Sequence, residues 1–110
     1  MPLQTIIQAN GPLPISATFT PLGDGPVVLI VTATAWSTSA PGKIGIAVSL
    51  NGAVIGSVTM FANQNSVHMT LPTLFVNATI LSNQPQKITL TALGSTVTDL
   101  NDSFTVHLLL

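Results

Sequence analysis

The stretch IGIAVSLNGAVIGSVTMF, residues 44–61, carries the clearest structural signal in the chain. Asn51 and Gly52 stand between two runs that are alternating or apolar. Both residues tolerate positive φ, and an Asn-Gly pair at such a place favours the type I′ turn of a two-residue hairpin. The stretch therefore predicts two antiparallel strands joined at residues 51–52.

Strand signals of the same kind recur along the whole chain. Residues with poor helix propensity dominate, and Gly, Pro and Asn return about every eight to twelve residues, as in a β-sandwich or barrel. No repeat or linker divides the sequence, so residues 1–110 are predicted to form a single all-β domain. We predict nine strands, near residues 5–8, 15–20, 27–36, 44–50, 54–61, 67–71, 74–79, 87–93 and 103–109.

The scarcity of charge narrows the classes of function. Charged residues make up 5% of the sequence and the net charge is −1, with neither arginine nor glutamate present; a typical soluble domain has about 25%. Phosphate contacts need Lys or Arg, so we expect no nucleic-acid partner. A near-neutral surface resists self-association poorly, which favours burial of surface in a defined oligomer.

Other features of the sequence limit the possible cysteine chemistry and cellular location of the protein. The chain has no cysteine, and hence no disulfide or thiolate metal site. Its longest apolar stretch, residues 26–31, is far short of the roughly 20 residues of a membrane-spanning helix. The opening MPLQTIIQAN shows no signal peptide. We expect cytoplasmic synthesis, with non-classical release or association with a virion left open.

The closing strand is apolar on both faces. Phe104, Val106, Leu108 and Leu110 alternate with a milder set, which comprises Ser103, Thr105, His107 and Leu109. A strand that buries one face in its own core and offers a mildly polar second face is typical of a subunit interface. The run at 27–36 is apolar on both faces in the same way.

Four stretches carry a resemblance to a known family: GPVVLIVTATAWS (25–37), IGIAVSLNGAVIGS (44–57), NQNSVHMTLP (63–72) and TDLNDSFTVHLLL (98–110). Together they resemble small bacterial jelly-roll proteins of the tumour-necrosis-factor/C1q type, although the chain has no tyrosine and no collagen-like stalk. The resemblance implies an antiparallel β-sandwich with jelly-roll topology that forms a compact homotrimer. It also implies that Val106, Leu108 and Leu110 lie in the core, while Thr105, His107 and Leu109 approach their copies near the threefold axis.

Trp36 is the only tryptophan, and hydroxyl-bearing residues follow it at once. An indole face that stacks on a sugar ring, beside neutral polar groups that bind hydroxyls, is a common carbohydrate site. The alternative is a core or interface tryptophan, because large aromatic side chains bury the most area. The candidate ligand-binding residues are Trp36, Ser37, Thr38, Asn63 and Asn65.

No metal site is favoured by the sequence, but two are considered. Asp99, Asn101 and Asp102 offer closely spaced oxygen ligands for calcium, yet Asp and Asn more often shape a turn by bonding their own backbone. His107, repeated three times about an axis, would suit zinc or nickel; the alternative is an interface histidine. His68 is expected at a rim with no acid beside it. We expect no cofactor.

With the jelly-roll fold and the trimer that the resemblance implies, the residues favour a non-enzymatic binding module that recognises carbohydrate in a lectin-like manner. Catalysis lacks support, since no Ser–His–Asp order, acid–base glutamate or phosphate-binding glycine loop is present. The alternative is a purely structural trimerisation module, such as a fibre head, capsid decoration or surface coat. A monomeric immunoglobulin-like or fibronectin-like domain fits less well, because the Cys–Trp–Cys core is absent.

Overall fold

The computed structural model describes residues 3–110, which form nine strands and no helix. Each predicted strand has a counterpart in the structure, and most observed strands extend one or two residues further. Their bounds are β1 (Leu3–Asn10), β2 (Ile15–Phe19), β3 (Gly25–Ala35), β4 (Gly42–Leu50), β5 (Ala53–Ala62), β6 (Met69–Thr70), β7 (Leu74–Ile80), β8 (Gln86–Gly94) and β9 (Ser103–Leu109).

The strands form two antiparallel sheets, which confirms the predicted all-β sandwich. The first sheet has the order β1-β9-β3, and β3 pairs on its far side with β7 along residues 25–31 and with β6 at residues 34–35. The second sheet has the order β2-β8-β4-β5. With the short β6 left aside, every connection crosses between the sheets except the β4–β5 hairpin. This connectivity is consistent with a jelly roll.

The hairpin predicted at residues 51–52 is present between β4 and β5. Leu50 pairs with Ala53, and both turn residues have positive φ, 52° at Asn51 and 90° at Gly52. The Asn51 side chain accepts a hydrogen bond from the Lys87 N–H (2.8 Å), so the turn is also joined to β8. Asn51 thus both adopts the positive φ that the turn requires and holds the turn against β8 through its side chain.

The core lies between the two sheets and is made by one face of each strand. In β3 the alternation buries Val27, Leu29, Val31, Ala33 and Ala35, and in β9 it buries Phe104, Val106 and Leu108. Leu110, which was expected beside them, is half-buried at the margin of the core. The β9 alternation confirms that Thr105, His107 and Leu109 point away from the core.

The predicted strand at 67–71 shortens to the two residues of β6. Ser66 has positive φ (59°), and its N–H donates to the Ser37 carbonyl (2.7 Å) instead of joining a ladder. His68 therefore belongs to a loop, and the prediction that it lies within a strand at 67–71 is wrong. This loop conformation decides where the imidazole points.

Candidate functional site

Three chain segments meet at one end of the first sheet: the end of β3, the loop before β6, and the loop 95–102 before β9. Trp36 follows β3 directly and exchanges both backbone hydrogen bonds with Val97 (3.0 and 2.8 Å). The imidazole of His68 and the carboxylates of Asp99 and Asp102 come together here, with one ligand atom from each within 4.8 Å of the others. We call these three residues the acid–histidine cluster.

Asp102 is the buried centre of this cluster, with no exposed surface. Its Oδ1 accepts hydrogen bonds from Thr34 Oγ1 (2.8 Å) and from His68 Nδ1 (2.7 Å). Its Oδ2 accepts one from the Asp99 N–H (2.9 Å). Three donors compensate the carboxylate for the water it loses on burial.

His68 is held by one acid and faces another. A carboxylate can only accept, so the hydrogen bond to Asp102 places a proton on Nδ1 and leaves Nε2 on the opposite side of the ring. Nε2 lies 3.8 Å from Asp99 Oδ2, beyond hydrogen-bond distance. The Asp102 hydrogen bond raises the pKa of His68; the partial loss of solvent opposes this, and the negative charges of Asp102 and Asp99 add to it.

Trp36 packs beside the cluster. Its ring centroid lies 5.8 Å from that of His68, with the two planes inclined at 45°. The residue is half-buried, and its indole Nε1 is buried without a hydrogen-bond partner among the described residues. The indole is therefore partly packed against the protein, with Nε1 buried, and partly exposed to solvent.

The residues predicted to bind carbohydrate differ in their exposure to solvent. Ser37 has no exposed surface, and its hydroxyl bonds Ser39 and Ser95, so its inclusion as a ligand contact is wrong. Thr38, Asn63 and Asn65 are exposed, on two loops that the Ser66–Ser37 backbone bond holds side by side. The structure thus places Trp36 and three exposed polar side chains on adjoining loops.

The Asp99–Asp102 segment is the turn that its composition favoured. The N–H of Asn101 donates to Asp99 Oδ1 (2.8 Å), which closes an Asx turn. Asn101 is not a member of the cluster and contacts Asp99 only through this backbone N–H. The sequence missed His68 as the third member: it was expected to have no neighbouring acid, and it has two.

His107 lies elsewhere, on the outer face of the first sheet. It pairs across the strands with Ile30 and Thr5, and its Nδ1 lies 3.1 Å from Thr5 Oγ1. Leu109 pairs with Leu3 and Val28 on the same face. Thr105 there hydrogen-bonds Thr32.

This outer face is apolar at its edges, and among the described residues it carries no lysine or acidic side chain. Phe75, which pairs with Ile30, is 65% exposed, and Leu3 is 54% exposed. All five charged residues lie elsewhere: both lysines are on the second sheet, and the three acids are in loops. We define the outer face as the residues Leu3, Thr5, Gln8, Val28, Ile30, Thr32, Phe75, Asn77, Thr105, His107 and Leu109.

Comparison with known proteins shows a fold and no family. No known protein family and no curated protein matches the sequence. The crystal structure of dimeric latent PorU from Porphyromonas gingivalis is similar, with a TM-score of 0.56 and 13% identity over 87% of this chain. This chain spans only 10% of the PorU chain, and the likeness is one of fold alone.

A second solved structure aligns over more of its own length. It is the carbohydrate-binding module CBM36 in complex with calcium and xylotriose, with 16% identity over 98% of this chain and 87% of that one. Its TM-score is 0.45, so the fold comparison relies on the first structure. Residues 3–110 contain no helix with the length and hydropathy needed to cross a membrane.

Proposed function

We propose that the chain is a non-enzymatic binding module of the tumour-necrosis-factor/C1q-like jelly-roll type, which assembles as a homotrimer and recognises carbohydrate at its loop end. The observation that carries the assembly is the uncharged, partly apolar outer face of the first sheet. The recognition site is the adjoining pair of loops that hold Trp36, Thr38, Asn63 and Asn65.

The composition of the outer face supports association. Each Å² of apolar surface removed from water contributes about 25 cal/mol, and Phe75 and Leu3 are more than half exposed. No lysine or acidic side chain has to be desolvated, since none of them lies on this face. Burying the face therefore costs little and removes the exposed aromatic ring from water.

A second copy of the same face is the occupant that suits these residues. A charged partner would lose hydration without gaining an opposite charge, whereas a copy offers apolar side chains together with hydroxyl, amide and imidazole groups. About a threefold axis, Thr105, His107 and Leu109 on β9 would approach their copies. Closed symmetry would also limit the assembly to a defined size.

The native mass tests the assembly, measured by light scattering after gel filtration. We expect a trimer for the wild type and a monomer for Phe75→Asp. Phe61→Asp is the matched control, because Phe61 is 63% exposed on β5 of the second sheet, and it should remain trimeric. A monomeric wild type, or a Phe75→Asp trimer, would refute this interface.

The polar loops support carbohydrate as the ligand class. Thr38, Asn63 and Asn65 present neutral donors and acceptors beside the half-buried Trp36, which matches the mixture of hydroxyls and apolar faces on a sugar ring. Three such sites on one rigid trimer would gain avidity without any new contact. Individually weak sites would then be sufficient.

Retention on a broad panel of immobilised glycans tests recognition. We expect Thr38→Ala and Asn65→Ala, both at exposed positions, to lose retention while remaining trimeric. Asn83→Ala changes an exposed amide in the β7–β8 loop and is the control that should bind as the wild type does. If a trimeric wild type is retained by no glycan, the purely structural module is the correct function.

A further inference from the structure

We propose that the acid–histidine cluster is a binding site for a divalent transition-metal ion such as Zn²⁺, with His68 Nε2 and Asp99 Oδ2 as ligands and Asp102 as the buried group that orients His68. The site is separate from the outer face, and nothing in the carbohydrate proposal depends on it.

The spacing of the two ligand atoms suits one shared ion. Nε2 and Oδ2 are 3.8 Å apart, so they make no hydrogen bond to each other. With Zn–N near 2.0–2.1 Å and Zn–O near 2.0–2.2 Å, that separation corresponds to an N–Zn–O angle of roughly 130°. A closing movement of about 0.4 Å would bring the angle to the tetrahedral value.

Asp102 supplies the second feature of a metal-binding histidine. Imidazole ligands almost always donate their other ring N–H to a carboxylate or carbonyl, which fixes the tautomer and the ring orientation. His68 donates Nδ1–H to the fully buried Asp102 at 2.7 Å. Nε2 is thereby left with its lone pair free, 3.8 Å from Asp99 Oδ2.

The oxygens of Asp102 itself are already occupied. Oδ1 accepts from Thr34 and His68, and Oδ2 accepts from the Asp99 N–H. Asp99 differs, because its Oδ1 accepts from Asn101 while Oδ2 has no hydrogen-bond donor among the described residues. One carboxylate oxygen without a donor and one imidazole nitrogen therefore lie 3.8 Å apart.

The chemistry of the ligands selects the class of ion. Calcium and magnesium take oxygen ligands in sets of six or more, which this cluster does not offer. An imidazole with a carboxylate suits zinc, nickel or copper. The side chains of His68 and Asp99 are 37% and 41% exposed, so an ion can reach them from solvent and complete its coordination with water.

The chain contains its own reporter for this site. Trp36 is the sole tryptophan, and its ring centroid is 5.8 Å from that of His68. A paramagnetic ion bound at Nε2 quenches a fluorophore at that range. Untagged protein is titrated with Ni²⁺, and we expect saturable quenching that excess Zn²⁺ reverses and that chelator abolishes.

Four variants assign the ligands. His68→Gln and Asp99→Asn should each lose the saturable quenching; Asp99→Asn leaves the His68–Asp102 bond in place, so its loss does not reflect a misplaced imidazole. Asp102→Asn should bind Ni²⁺ about 10- to 100-fold more weakly, as removal of an orienting partner does. His107→Gln, which changes the other histidine, should be quenched as the wild type is.

Two results would overturn the site. The first is an absence of saturable quenching in the wild type, with no heat of Zn²⁺ binding by calorimetry. The second is quenching that survives Asp99→Asn or disappears in His107→Gln, which would place the ion elsewhere. Circular dichroism of each variant confirms that the fold is retained before the titration is interpreted.

Discussion

The two histidines of this chain are bonded through the same ring nitrogen and lie in different surroundings. Nδ1 of His68 contacts a buried carboxylate, Asp102, at 2.7 Å, and Nδ1 of His107 contacts a hydroxyl, Thr5 Oγ1, at 3.1 Å. Hydrogen bonds to ionised partners are roughly twice as strong as those between neutral groups. The hydrogen-bond partner therefore distinguishes the two histidines: the bond to the Asp102 carboxylate can hold two loops together, whereas the bond to the Thr5 hydroxyl is the weaker of the two.

The two environments also arise differently. His107 owes its position to alternation along β9, which places it outward between the buried Val106 and Leu108. His68 owes its position to a loop that brings it to an acid 34 residues further along the chain. One is a consequence of strand periodicity, and the other depends on tertiary structure.

The largest effect that would test this contrast is expected from removing the buried carboxylate. Asp102→Ala leaves the Thr34 hydroxyl, the His68 Nδ1–H and the Asp99 N–H without their acceptor. We expect the free energy of unfolding to fall by about 3 kcal/mol, since a buried donor left unsatisfied costs roughly 1–3 kcal/mol. Urea denaturation with chelator present measures it.

Asp99→Ala is the matched control for that measurement. It removes an acid from the same loop whose side chain is 41% exposed, so the loss should stay within about 1 kcal/mol. If both variants lose the same free energy of unfolding, the buried Asp102 stabilises the fold no more than the exposed Asp99 does. The proposed contrast between the two histidine environments would then be wrong.

Strand periodicity explains why most of the fold was predictable. The hairpin at Asn51–Gly52, the inward residues of β9 and eight of the nine strand positions follow from local alternation and turn residues. Where the prediction was wrong, at residues 67–71, a positive φ at Ser66 and a backbone bond to Ser37 replace the ladder. Such a bond between distant loops has no signature in sequence.

The candidate site was predictable only in its local part. The Asx turn from Asp99 to Asn101 is a contact between near neighbours, and its residue types indicate it. The approach of His68 and the complete burial of Ser37 depend on contacts across 34 and 58 residues. Hydrophobic patterning predicts where strands lie in the sequence, but it does not predict which loops come into contact in the folded chain.

A smaller effect is expected from pH, and it concerns His68. Because its pKa in the folded protein is raised above the ordinary 6.5, the folded state binds the proton more tightly than the unfolded state does. This stabilisation is fully present below pH 6.5 and is lost as the pH rises through the raised folded value. With chelator present, the stability difference between wild type and His68→Gln should narrow over that range.

Asp102→Asn identifies the cause of this dependence. The hydrogen bond to the Asp102 carboxylate is the largest contribution to the raised pKa of His68, so His68→Gln made in the Asp102→Asn background should show a much flatter difference with pH. A slope that persists unchanged in that background would assign the effect to another group. Chemical denaturation at a series of pH values provides both curves.

The smallest effect is expected at the other histidine. Thr5→Val removes the hydroxyl that contacts His107 and nearly preserves the shape of the side chain. Both groups are exposed enough for water to replace the lost bond, so in dilute protein the free energy of unfolding should change by no more than about 0.5 kcal/mol.

The effect of Thr5→Val on the free energy of unfolding should also be measured at protein concentrations at which the chain is assembled. If the outer face is an interface, water no longer reaches His107 there, and the penalty must grow with protein concentration. A penalty that is equally small at every concentration would mean that His107 remains solvated, and that the interface does not include this part of β9.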